Sequence, residues 1–194
     1  IEVSTFVWEP WSIEAPYNET GFRWFNYYPS WQAYQSADTL WYSKGNAKNR
    51  AKLDKLATCS TPIFNTVHGI LPTESELEAA DHNGNRILIG LCSVTEGMSM
   101  ADVKGYITPE LSKSVREAAG ADRGQFLLVP VMGFAADFDF LNTLYATPTE
   151  MAKLLDGGRE GKLRAAMAAA SDQTPPYTCD TWHLHKSHRI IARQ

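Results

Sequence analysis

The sequence predicts an α+β protein made of two related halves, of which the first is incomplete. Two observations carry this prediction. Residues 86–185 alternate between apolar runs, which are typical of strands, and longer helical stretches, in the order β-α-β-β-α-β. Residues 22–71 repeat the second part of that order and share residues with it at a nearly constant spacing, which indicates an internal duplication.

The second half contains the clearest elements. Each predicted strand is a short apolar run, and each predicted helix is interrupted once, because proline lacks the amide donor and glycine weakens a helix. The predicted strands are 86–95, 125–134, 138–147 and 177–185, and the helical stretches are 100–119, broken or restarted at Pro109, and 148–170, interrupted at Gly157 and Gly158. Ser99 and Thr147 precede the two helical stretches as capping residues would.

The first half is shorter than the second. Residues 2–8 alternate as one strand, but no helical period follows before Thr20. This half is therefore expected to lack its first helix or to hold a loop in its place. We divide the chain into a shortened first half at 1–71, a linker at 72–85 and a complete second half at 86–194.

The duplication is visible as pairs of equal residues. Asn26 and Asn142 are 116 positions apart, and His68 and His183 are 115 positions apart. Spacings that drift by a residue or two are what a duplicated unit with small insertions would give. We therefore expect the two asparagines, and the two histidines, to occupy equivalent places in the two halves.

Composition excludes several function classes. The 194 residues include 18 Lys and Arg against 22 Asp and Glu, and the net charge of −4 argues against nucleic acid as a partner. No apolar run approaches the roughly 20 residues that a membrane helix needs, so no membrane is expected. A small-molecule ligand and a second copy of the chain remain as expected partners.

The N-terminus and the cysteines add two expectations. The chain begins at Ile1 and not at Met, from which we expect that a leading segment has been removed; a periplasmic or secreted location is one explanation. The odd number of cysteines leaves at least one thiol free or paired between chains. Cys59, Cys92 and Cys179 are interpreted as small buried apolar residues.

The order of elements in residues 86–185 is the ferredoxin-like βαββαβ pattern. Together with its partial repeat in 22–71, it resembles the dimeric α+β barrel superfamily in a form with two units fused in tandem. In that superfamily two four-stranded sheets face each other and helices cover the outside. Its members include cofactor-free monooxygenases, heme-degrading proteins and small isomerases, so the resemblance implies a ligand pocket but leaves the chemistry open.

The candidate catalytic residues are His183, His68, Asn142 and Asn26. A neutral imidazole can accept a proton near pH 7, and a neighbouring amide can donate hydrogen bonds to the anion that forms. The prediction is a cofactor-independent monooxygenase or isomerase with a histidine base and an asparagine oxyanion donor. The competing interpretation is that these are partly buried polar residues that satisfy strand ends or each other.

Further residues are expected to line the pocket. They are His185, Trp182, Tyr145, Trp24 and Tyr27. The His183-x-His185 spacing also suits a metal site on a sheet, but no third ligand is fixed by spacing, so no metal and no cofactor are predicted. The aromatic density of the first 42 residues leaves a second function open, a non-catalytic ligand-binding or assembly protein with an aromatic interface.

Overall fold

A computed structural model describes residues 4–12, 23–56, 62–70, 84–132 and 137–191, which hold seven strands and six α-helices. The strands are β1 (Ser4–Ser12), β2 (Arg23–Tyr27), β3 (Ile63–Ile70), β4 (Arg86–Val94), β5 (Gly124–Met132), β6 (Phe140–Ala146) and β7 (Tyr177–Ile191). The helices are α1 (Trp31–Trp41), α2 (Ala47–Leu53), α3 (Met100–Tyr106), α4 (Pro109–Ala119), α5 (Pro148–Arg159) and α6 (Lys162–Ala170). None of these described helices is long and apolar enough to cross a membrane.

The seven strands form one curled antiparallel sheet with the order β2-β1-β7-β4-β6-β5-β3. The second half supplies its four central strands. The first half extends both sides, with β1 and β2 beyond β7 and β3 beyond β5. The α+β class is therefore confirmed, whereas two separate four-stranded sheets from tandem ferredoxin-like units are not, because all strands pair into one sheet.

The order of elements predicted for the second half is found along the chain. Ser99 and Thr147 cap α3 and α5, each accepting a hydrogen bond from a backbone amide in the first turn. The last helical stretch is interrupted between Arg159 and Lys162, not at Gly157 and Gly158 as predicted. Gly157 and Gly158 lie inside α5, and the chain turns at Gly161, whose φ of +76° only glycine adopts readily.

The first half matches its prediction less closely. The strand expected at 2–8 runs from Ser4 to Ser12, since it pairs with β2 on one side and β7 on the other. The helices α1 and α2 contain no buried residue. Cys59 and the short helix expected within 74–80 lie outside the described residues.

Side chains from the two faces of the sheet form separate cores. On the outer face, helix residues such as Val103, Tyr106 and Leu111 pack against Leu127 and Phe140 of the sheet. In the described part of the chain, the buried residues of the inner core come from β1, β4, β5 and β6, with partly buried rings from β2 and β3 packed against them. The curl of the sheet therefore brings side chains from six strands together on this face.

Three glycines in the strands face an aromatic ring on the neighbouring strand. A Cβ added to any of them would lie far too close to that ring. The pairs are Gly69 with Phe126 at 2.9 Å, Gly90 with Trp182 at 2.9 Å and Gly124 with Tyr145 at 1.8 Å. Each ring can therefore lie flat across its neighbouring strand, which suits a strongly curved sheet.

Cys92 and Cys179 form a disulfide that joins β4 to β7. Their Cα atoms are 4.0 Å apart, because the two residues face each other across adjacent strands. The interpretation of both residues as reduced, apolar thiols is therefore wrong, although Cys92 is buried as expected.

Candidate ligand site on the inner face of the sheet

His183 and His185 both point to the inner face, as strand alternation predicts. Across the β4–β7 pairing they stand opposite Ile89 and Ile87, which belong to the inner core. His183 is 4% exposed and His185 is fully buried. Their ring centres are 6.5 Å apart.

His185 is the most unusual of the buried polar groups. Neither of its ring nitrogens has a hydrogen-bond partner among the described residues. Burial, together with the smaller effects of the positive charges of Arg23 and of protonated His183, lowers the pKa of His185 to about 4. The imidazole is therefore neutral at pH 7, with one nitrogen able to accept a proton and the other able to donate one.

Arg23 brings a positive charge to the same face. It stands opposite Trp8 across the β1–β2 pairing. Burial lowers the pKa of both His183 and His185, and electrostatic repulsion from Arg23 lowers both in the same direction. Burial lowers the pKa of Arg23 itself. No ion pair or hydrogen bond joins its partly buried guanidinium to another described residue.

Aromatic rings lie on the same face, on both sides of the strand that carries the two histidines. Trp8 stacks on Phe25 with ring centres 3.7 Å apart, and its ring lies 6.3 Å from that of His185. Phe126 and Tyr145 stack at 5.6 Å and are nearly parallel. The inner face thus offers flat apolar surfaces of the kind that hold a planar organic molecule.

Two tyrosines predicted as ligand-binding residues lie on this face. Burial raises the pKa of Tyr145, and burial also raises the pKa of Tyr27, against the opposing effect of a hydrogen bond with the Thr66 side chain. Both phenols therefore stay protonated at neutral pH. Because Tyr27 belongs to β2 and Thr66 to β3, this bond joins the two edge strands of the sheet.

Thr143 is a further polar residue of the inner face. It stands opposite Ile89, which in turn stands opposite His183. Its side chain is buried, and its hydroxyl has no hydrogen-bond partner among the described residues. The hydroxyl can therefore donate to or accept from a bound molecule.

Asn142 does not share the site with His183, contrary to expectation. It stands opposite Gly90, whose other neighbour is Trp182, so both Asn142 and Trp182 point to the outer face. There the Asn142 carbonyl oxygen accepts a 2.9 Å hydrogen bond from Gln125. Consecutive residues of a strand point to opposite faces, and the register of β4 with β6 and β7 places Thr143, not Asn142, on the face of His183.

Asn26 and Trp24 also lie on the outer face, because they alternate with Arg23 and Phe25. Asn26 is exposed, and its carbonyl oxygen accepts hydrogen bonds from the Thr5 hydroxyl at 2.9 Å and the Trp24 indole at 3.0 Å. Neither residue is placed to contact a molecule held by the two buried histidines.

His68 lies on the outer face as well. It stands opposite Leu127, and its Nε2 donates a 2.9 Å hydrogen bond to the Ile107 carbonyl oxygen after α3. His68 therefore holds the helical layer against β3. The expectation that His68 and His183 form an equivalent pair is wrong, since the two side chains point to opposite faces.

Arg23, Trp8 and Thr143 are site residues that sequence reasoning did not select. A signal for Arg23 was present, because alternation along 23–27 puts Arg23, Phe25 and Tyr27 on one face. Within the described residues, no three His, Cys, Asp or Glu side chains form a group that could hold a metal ion.

Comparison with known proteins gives no family. No protein-family model matches the sequence, and comparisons with curated proteins and with solved structures find no similar chain. The inner-face residues are therefore interpreted from their own geometry and chemistry.

Proposed function

We propose that the protein binds a small, planar, acidic organic molecule on the inner face and moves a proton on it without a cofactor. The observation that carries this proposal is His185, a buried neutral imidazole without a hydrogen-bond partner among the described residues, within electrostatic range of the Arg23 guanidinium. A buried polar group without a hydrogen bond costs about 1–3 kcal/mol, so a ligand that bonds to it recovers that energy.

The chemistry follows from the neutral imidazoles and the positive charge of Arg23. A neutral imidazole at position 185 or 183 takes a proton from a C–H or O–H group next to a carbonyl or aromatic ring. Arg23 stabilises the resulting enolate or phenolate in a site with little water, where a fixed positive charge has a strong effect. The flanking rings of Trp8, Phe25 and Tyr145 hold the planar anion.

Two reaction types are compatible with this arrangement. In an isomerase, the imidazole returns the proton to a different atom of the same molecule, and no other reactant is needed. In a cofactor-independent monooxygenase, the same anion gives its electrons to dioxygen, which is then the co-substrate. Arg23 replaces Asn142 and Asn26 as the proposed stabiliser of the anion, because both amides point to the outer face.

A ligand screen tests the proposal. The panel contains planar aromatic acids, phenols and β-dicarbonyl compounds, and binding is measured by the rise in melting temperature and by calorimetry. Arg23→Gln should weaken binding of an anionic hit by about 10-fold to 100-fold, the value of a charged hydrogen bond. Replacing both imidazoles, by His183→Gln with His185→Gln, should abolish proton exchange on a bound hit, as followed by deuterium uptake in NMR.

His188→Gln is the matched control. His188 lies on the same strand but on the outer face, opposite Val7, with its Nε2 atom 3.2 Å from the Glu9 carboxylate. We expect this variant to bind and exchange like the unmodified protein. A panel without any hit, or hits whose affinity is the same after Arg23→Gln, would remove the proposal.

A second candidate is a non-catalytic assembly protein. It is favoured by the exposed apolar side chains of α1 and the residues after it, namely Trp31, Leu40, Trp41 and Tyr42. Such a surface is typical of an interface. Sedimentation separates the two functions, because an assembly protein would form a stable oligomer that Trp31→Gln with Trp41→Gln dissociates, with no response to the ligand panel.

We also propose the tandem architecture of two ferredoxin-like units, with bounds 1–71, 72–85 and 86–194. It is supported by the way the halves meet in the sheet. A strand of the first half pairs with a strand of the second half twice, as β1 with β7 and as β3 with β5, and both pairings are antiparallel.

A further inference from the structure

The two pairings between the halves have the same register. When β1 is aligned with β5 at a shift of 120 positions, Phe6 falls on Phe126 and Pro10 on Pro130. Val7 stands opposite His188 on β7, and its counterpart Leu127 stands opposite His68 on β3. The register thus makes His68 the counterpart of His188, at the same shift of 120 positions.

The neighbouring strands follow the same relation. Ser4 of β1 stands opposite Tyr27, and its counterpart Gly124 of β5 stands opposite Tyr145. Accordingly β1, β2 and β3 correspond to β5, β6 and β7. The strand left without a counterpart among the described residues is β4.

The strand order of the sheet indicates where a counterpart of β4 would lie. In the second half, β4 lies between β6 and β7 and is antiparallel to both. Its counterpart would lie between β2 and β3, which are the two edge strands in the described part of the chain. The Thr66 side chain, whose hydrogen bond to the Tyr27 phenol lowers the pKa of Tyr27, indicates that the inner sides of these edges are within side-chain reach of each other.

The described helices differ between the halves in the same way as the strands, because α3 and α4, which follow β4, have no counterpart in the first half. In the second half, α4 follows β4 and packs on α5 and α6, with Ala119 against Gly157 and close to Leu163. The counterparts of α5 and α6 are α1 and α2, which follow β2. No helix packs on them in the described residues, and Trp31 and Tyr42 stay 48% and 65% exposed.

We propose that the β2–β3 gap and the aromatic face of α1 and α2 form one docking surface for a strand–helix segment of polypeptide. The strand runs antiparallel to β2 and β3 and points alternate apolar side chains toward Tyr27 and Thr66. The helix covers Trp31 and Trp41. In the duplicated scheme this segment is joined ahead of β1, as β4 with α3 and α4 stands ahead of β5.

A fusion tests the proposal with the full chain. Residue 120 corresponds to the position before Ile1, so a second copy of residues 84–120 is joined directly to Ile1. Hydrogen exchange is measured for β2 and β3, and acrylamide quenching for the tryptophans. We expect amide exchange in both edge strands to slow by about tenfold or more, because edge amides gain ladder hydrogen bonds.

The control fusion carries Ile89→Pro and Leu91→Pro in the added copy alone, since proline cannot donate in the middle of a sheet. It should leave exchange and quenching as in the unfused chain. Equal exchange in the two fusions overturns the proposal. So does a dimer of the unfused chain that protects Trp31 and Trp41, because the occupant would then be a second copy. This test does not depend on the proposed ligand site.

Discussion

Acid should destabilise this protein through His185, and the size of the effect can be worked out. The ordinary pKa of 6.5 falls to about 4 in the folded chain, chiefly through burial and then through Arg23. As pH falls below 6.5, the unfolded chain takes up a proton that the folded chain does not, so the folded state loses stability until the pH reaches the folded pKa. At ~1.4 kcal/mol for each pH unit, about 2 kcal/mol is lost by pH 5 and about 3 kcal/mol by pH 4.

Urea unfolding between pH 7 and pH 4.5 measures this loss. His185→Phe removes the titrating group, so its free energy of unfolding should fall by about 2 kcal/mol less than that of the unmodified protein between pH 7 and pH 5. His185→Asn provides a second variant in case the larger ring does not fit, and His188→Gln should keep the full response. Equal slopes for the unmodified protein and both His185 variants would refute the reasoning.

Three further changes should alter stability in urea unfolding. Gly124→Ala places a Cβ 1.8 Å from the Tyr145 ring, and we expect a loss of about 3 kcal/mol from overpacking. Replacing Cys92 and Cys179 by alanine removes a link between residues 87 positions apart and should cost about 4.6 kcal/mol by the chain-entropy estimate. Thr147→Ala removes the hydroxyl that caps α5 and should cost about 1 kcal/mol.

Controls distinguish these effects from general damage. Gly105→Ala in α3 meets no atom within 4 Å, so it should leave stability unchanged or raise it by about 1 kcal/mol. Reduction of the unmodified protein should reproduce the loss of the double cysteine variant. Equal stability of Gly124→Ala and Gly105→Ala, or a reduced protein as stable as the oxidised one, would contradict the packing and disulfide arguments respectively.

Elements whose signals are local could be predicted from the sequence. The apolar run of β4 and the caps Ser99 and Thr147 were placed within a residue, because each depends on its immediate neighbours. The length of β7 could not be predicted in this way. Its last residues are a strand because they pair with β1, which is far away along the chain.

The part of the candidate site that lies on one strand could be predicted from the sequence, whereas the parts on other strands could not. Alternation along one strand puts His183 and His185 on one face, and the sequence carries that information. Which residue of β6 joins them depends on the register between strands, and the register selects Thr143 and excludes Asn142. Alternation assigns Arg23 to a face of its strand. It does not predict the electrostatic effect of Arg23 on the histidines, because that effect depends on β1 lying between β2 and β7.

The glycine–aromatic pairs of the sheet have a consequence for how this sequence can change. Gly69, Gly90 and Gly124 each leave room for one ring that belongs to another strand. A methyl group at one of these positions becomes acceptable only when the facing ring is replaced by a smaller side chain. We therefore expect the two members of each pair to vary together among related sequences, so that covariation would reveal the strand register that periodicity alone leaves open.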